Sequence, residues 1–252
     1  MNLNEFLEMK NEFAEYIYRY EYFLKCGAIN DCYYKYYFHQ YLDEIKYLDT
    51  ESKVMASLID MKNNNETPEK IEEFMKNARD SYQKEKAMIE KKNMMAKAVV
   101  ENNNKMSMED KKQFEIDYLD YVKKNHPVVK CLISDEEESL FSLISKCYKE
   151  NNYSGFKQIL EMNKNTFTNP EYKPDDFNKI SGYYYDMKKN VNADYLRKQD
   201  IYPFNKAEVL KNEMSVAREA GDLKAKLTKF REANKNIHED YKLNFGVDFS
   251  LI

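Results

Sequence analysis

Only five glycines and five prolines interrupt the 252 residues of this chain, and that scarcity constrains the fold more than any other feature. A β-sandwich or barrel needs turn residues every roughly eight to twelve positions. Here Lys, Glu, Leu, Met, Ala and Asn fill long stretches instead. Helices joined by short loops are therefore the default, and the chain is read as all-α: a multi-helix bundle with a projecting helical arm and a C-terminal helical lobe. The length is enough to bury a core in one large domain or two modest ones. With 22 Tyr, 14 Phe and no Trp, that core is expected to be packed with phenyl and phenol rings and with Met.

Forty basic residues nearly balance 44 acidic ones, so no net field draws the chain to nucleic acid or to an anionic membrane. No window reaches the roughly 20 apolar residues of a membrane span. The start, Met1-Asn2-Leu3-Asn4-Glu5, has an acid where a signal peptide carries positive charge. A cytoplasmic location is expected. Cys26, Cys32, Cys131 and Cys147 are scattered through a chain large enough to do without staples, which reads as reduced thiols.

Along the chain, Phe6, Leu7, Phe13, Tyr16, Ile17, Tyr20 and Phe23 recur at three and four, and Cys26-Gly27 supplies a helix stop. A second helix is expected from Asn30-Asp31 through Tyr33, Tyr37, Tyr41, Ile45 and Leu48, so residues 1–62 are read as a Tyr-rich helical hairpin. Thr67-Pro68 opens a long charged helix to about Val100, read as the arm. Ser107 to Asp110 and Ser134 to Glu137 have the form of capping boxes. Each opens a helix, and Pro127 forces His126 out of helical geometry between them. A short helix over about 154–162 completes a segment spanning 63–168. Asn169-Pro170 and Lys173-Pro174 mark a linker. The lobe over 175–252 holds one helix from Asp175-Asp176 to about Lys198, another capped by Asn205 with Glu208 and checked at Gly221, and an apolar tail over 244–252.

Chemistry-bearing patterns are sparse. Phosphate-binding loops need clustered glycines, and Gly27, Gly155, Gly182, Gly221 and Gly246 are far apart. Cys26, Cys32 and His39, or His126, Cys131 and Cys147, lack the short spacings of zinc sites. The three histidines, His39, His126 and His238, sit in no nucleophile–base motif. Acid pairs such as Asp135/Glu136 and Asp175/Asp176 occupy helix starts, where the helix dipole accounts for them. No catalytic residue, metal or cofactor is expected.

The stretch from Lys111 to Leu160 has a Lys-rich helix ending at His126-Pro127. A capped acidic start and then Leu140-Phe141, Ile144 and Cys147-Tyr148 follow. It resembles helices II and III of a J domain, and more closely the degenerate J-domain-like module of some bacterial coiled-coil proteins. The resemblance implies two antiparallel helices joined by the His-Pro loop. Val128 stands where that family has an aspartate, and an isopropyl group cannot accept the charge-assisted bond the aspartate makes to Hsp70. The resemblance therefore implies a scaffold kept for its shape. A degenerate cochaperone would touch Hsp70 through Lys111, Lys112, Lys123 and Lys124, with His126 presented beside the last two.

The runs Tyr16-Ile17-Tyr18-Arg19-Tyr20-Glu21-Tyr22-Phe23 and Tyr33-Tyr34-Lys35-Tyr36-Tyr37-Phe38 place rings on every face of a helix, so some must be exposed. Tyr is enriched in interface hot spots. Single-stranded nucleic acid also stacks on aromatics, but among basic residues, and here Glu15, Glu21 and Asp31 offset Arg19 and Lys35. The expected function is a non-enzymatic adaptor or inhibitor that occludes or scaffolds a partner protein of unspecified identity. Tyr18, Tyr22, Tyr34, Tyr36, Lys123, Lys124 and His126 are its contact residues. Size and an AT-rich-looking composition associate it with phage and mobile-element proteins that block host defence nucleases.

Overall fold

The computed structural model describes residues 1–131, 134–167 and 170–251, all helix, turn or irregular chain, with no strand among them. The helices are α1 (Leu3–Asn63), α2 (Pro68–Lys105), α3 (Met108–Asn125), the single turn α4 (Pro127–Lys130), α5 (Asp135–Lys149), α6 (Tyr153–Met162), α7 (Pro174–Lys198) and α8 (Glu213–Phe245). The all-α bundle read from the sequence is the architecture observed. No helix among the described residues is long and apolar enough to cross a membrane.

Helix starts follow the side-chain chemistry. Asn2 Oδ1 accepts from Glu5 N at 3.0 Å while Asn2 N donates to Glu5 Oε2 at 2.9 Å, a reciprocal cap for α1. Ser107 caps α3, and Ser134 with Glu137 closes the box that opens α5. Proline stands at the first turn of α7, where its missing N–H costs nothing. Gly246 ends α8 in the left-handed conformation, φ 72°.

The expected hairpin is absent: α1 runs unbroken through Cys26-Gly27. Gly27 is a packing glycine rather than a stop, because a Cβ there would lie 2.3 Å from the Phe204 ring. Phe204 in turn stacks on Phe23 at 4.2 Å. The helix expected from Asn205 is also displaced. Residues 204–206 and 209–211 are 3-10 turns, and α8 begins after Asn212, whose side chain accepts from Ser215 N at 2.9 Å. Gly221 does not interrupt it. In the expected linker Asn169 lies outside the described residues, as does Ile252 of the tail.

Because α1 is continuous, the compact units are not three consecutive segments. One comprises Met1–Cys32 with Ala98–Ala207, the other Tyr33–Lys97 with Glu208–Ile252. The first unit buries an aromatic core from α1, α3, α5, α6 and α7. Phe13 stacks on Tyr184 at 4.0 Å and Tyr118 on Tyr148 at 3.5 Å. Phe6, Phe114 and Phe156 are fully buried, and each such ring contributes about 1.5–3 kcal/mol on burial. Helices α3 and α5 pack antiparallel, since Phe114 and Tyr118 meet Tyr148 while His126 meets Phe141.

The second unit packs Met55 and Leu58 of α1, Tyr82 of α2, Tyr241 of α8 and the tail residues Phe249 and Leu251. Ile71, Phe74 and Ala78 join that cluster, whereas Met88, Met94 and Met95 further along α2 stay exposed. A smaller cluster joins Tyr34 and Phe38 of α1 to Leu223 of α8.

Candidate partner-binding surface

The tyrosine-rich stretches of α1 divide according to whether a carboxylate or carbonyl reaches the phenol. In the first unit, Tyr16 Oη donates to the Lys188 carbonyl at 3.0 Å and Tyr20 Oη to Asp194. Tyr18 Oη donates to Glu115 Oε2 at 2.9 Å. Glu115 also accepts from Tyr148 and, at 2.6 Å, from Lys25 Nζ. That lysine is buried, with its ammonium 4.3 Å from the Tyr148 ring centre and 4.7 Å from that of Phe114. Burial holds its pKa below the usual lysine range despite Glu115. Burial first, and Glu115 next, raise that of Tyr18. Tyr18 is therefore half-buried and held in the helix packing by this network, not presented freely. Tyr22, one turn on, is exposed.

In the second unit Tyr34 is buried, and its hydroxyl donates to Glu219 of α8. It leaves the set of contact residues for the same reason. Tyr36 and Tyr37 stay outside, 41% and 45% exposed. At about 100° per residue Tyr36 lies on the side of α1 opposite Tyr34 and Phe38, and Tyr37 on the flank of their face. Their rings meet edge to face at 5.5 Å, and Tyr33 lies 6.2 Å from Tyr37. With Lys35, His39, Asn93, Met94 and Lys97 they line a groove of about 510 Å³. Met94 is 74% exposed. Asn93 is fixed by its bond to Asp43 Oδ2 at 2.6 Å, and His39 Nδ1 lies 3.3 Å from the Tyr36 carbonyl. Tyr37 and Met94 escaped the sequence reading. Tyr37 is only about 80° from the centre of the Tyr34 and Phe38 face, so the helix phase does not mark it as exposed, and nothing local to Met94 separates it from a core methionine.

The loop residues are also redistributed. His126 is buried, not presented: its Nδ1 accepts from Val128 N at 3.2 Å, capping α4, and its ring meets Phe141 at 4.6 Å. Burial, with a smaller contribution from the Lys149 ammonium, pushes its pKa down to about 3. Lys123 pairs with Glu15 at 2.9 Å and Lys124 with Asp120 at 2.8 Å. Both lysines remain within reach of solvent, but His126 does not join them on a surface.

Four buried side-chain atoms have no hydrogen-bond partner among the described residues: Glu21 Oε2, Tyr118 Oη, Tyr121 Oη and His126 Nε2. Burial raises the Glu21 pKa, against the opposing pull of Lys149, whose Nζ lies 3.7 Å away. None of the three histidine rings hydrogen-bonds a serine, threonine or cysteine among the described residues. The four cysteines form no disulfide among the described residues, and no group of three or more His, Cys, Asp or Glu side chains there could hold a metal ion. Comparison with protein-family models, with curated proteins and with solved structures finds no match for this chain.

Proposed function

We propose that this chain is a non-catalytic, protein-binding scaffold or inhibitor whose contact surface centres on Tyr36, Tyr37 and Met94. The observation that carries this reading is their exposure at the edge of one groove, while neighbouring Tyr34 and Phe38 are spent on the core. Tyr supplies a large contact area at low entropic cost, and Met adapts to an irregular partner. Exposing three such side chains together wins nothing for the monomer, since their transfer from water is favourable only once a partner covers them. The phage and mobile-element association gives one setting for such an inhibitor.

Affinity capture from the source cells, read by mass spectrometry, tests the proposal. The double variant Tyr36→Ala/Tyr37→Ala should lose the captured partner, because hot-spot truncations each cost about 2 kcal/mol or more. Tyr18→Phe, which touches only the Glu115 network, should retain it. A partner captured equally by both variants places the interface elsewhere.

A further inference from the structure

We propose that a second groove, in the first unit at the His126-Pro127 corner, docks a basic polypeptide segment that inserts an apolar side chain. Its apolar lining is Pro127, Val128, Cys131, Ile180 and Tyr183, and Glu138, Asp176 and Lys179 complete it around a volume of about 510 Å³. The walls are pinned to each other. Tyr184 of α7 donates to the Val129 carbonyl of α4, and Tyr172 donates to the Lys130 carbonyl at 2.9 Å. A groove held this way is formed before a ligand arrives, so a ligand need not order it.

The charge of the rim selects the occupant. Glu138 lies in the first turn of α5 and Asp176 in the first turn of α7, and Asp135, Glu136 and Asp175 extend the same two turns. None of these five carboxylates forms an ion pair among the described residues. Each acid by itself suits the dipole of its own helix. Two helix starts opening on one apolar groove, however, gather the negative charge at its mouth, and among the described residues Lys179 is the one cation lining it. Lys10, nearby, lies over the Tyr172 ring at 5.1 Å. Phosphate-bearing partners are repelled by such a rim, whereas Lys or Arg beside an apolar anchor meets the carboxylates and the exposed Tyr183 face together. Glu138 and Lys179 are themselves exposed. The groove is thus open, suited to a chain laid along it rather than to a small molecule, which needs most of its surface enclosed.

A random 16-residue peptide library displayed on phage, selected on the full chain and counter-selected on Tyr183→Ala, isolates groove-dependent binders. They should carry net positive charge around an aromatic or aliphatic residue. Synthetic versions should bind the isosteric double variant Glu138→Gln/Asp176→Asn at least roughly tenfold more weakly, with affinity falling as salt rises. Circular dichroism of each variant checks that the helices persist. Groove-dependent peptides that are neutral or acidic, or that ignore the double variant, overturn the inference, as does a selection yielding none. Benzamidine, a small apolar cation, overturns it too if it binds as tightly as the peptides. Tyr36 and Tyr37 lie outside this groove, so either outcome leaves the reading of the other surface to its own test.

Discussion

Replacing His126 with Asn should flatten part of the chain's acid sensitivity. The neutral ring accepts from Val128 N through Nδ1, so the proton of the neutral tautomer is on Nε2. A second proton must go to Nδ1, where it would face the Val128 N–H and abolish the cap, inside a site 3% exposed. The folded pKa is accordingly about 3, against an ordinary 6.5. A depressed histidine pKa means that the unfolded chain binds more protons than the folded one between those values. The contribution is therefore intact above pH about 6.5 and is lost progressively as the pH falls toward 3. At about 1.4 kcal/mol per pH unit, the loss is about 2 kcal/mol by pH 5 and about 5 kcal/mol over the whole window.

Asn is as good an N-cap as any residue, so His126→Asn keeps the α4 start and removes the titration. At pH 7 the variant should be less stable by about 1–2 kcal/mol, from the lost edge contact with Phe141 and imperfect filling of the ring's space. Urea unfolding followed by circular dichroism at pH 7, 6 and 5 measures both chains. Carboxylates common to both cancel in the difference, which should shrink to near zero by pH 5. A difference constant across that range refutes the reasoning. So does a histidine ring that titrates near 6.5 in the folded protein by NMR.

The helical glycines should respond to Ala in opposite directions. Gly182→Ala and Gly221→Ala, with open space around the new methyl, should each stabilise by about 0.5–1 kcal/mol in thermal unfolding. Gly27→Ala drives a methyl into the Phe204 ring, and its net cost of about 1–2 kcal/mol reflects overpacking only partly offset by helix propensity; a stabilised Gly27→Ala would show that Phe204 does not pack there. The ion pair of Lys130 and Glu137 is fully buried, so Lys130→Met alone should destabilise by about 3–5 kcal/mol. Adding Glu137→Gln, which keeps an oxygen for the Ser134 N–H, should recover most of it. A double variant no better than the single would mean that the lost lysine contacts, not the stranded carboxylate, carry the cost.

Periodicity and caps made the helical class legible, because those signals are local: Ser134 and Glu137 are three residues apart and act on each other in any context. The failures share the opposite property. Gly27 reads as a stop until Phe204, far along the chain, fills the space its side chain lacks. Tyr34 and Tyr36 are indistinguishable in a run of aromatics, and what separates them is Glu219, 185 residues from Tyr34. Tyr18 is claimed by Glu115, 97 residues away. The sequence pattern around His126 gave its backbone geometry correctly, since Pro127 acts on its immediate neighbour. Its burial depends on Phe141, a residue of the next long helix. Tyr16, Tyr18, Tyr20 and Tyr34 are held in the packing by acceptors far away in sequence, and Tyr118 and Tyr121 by burial alone. The exposed set therefore emerges only after long-range pairing has removed the rest, which is why Tyr36, Tyr37 and Met94 stand together on one groove although the sequence singled out only the first.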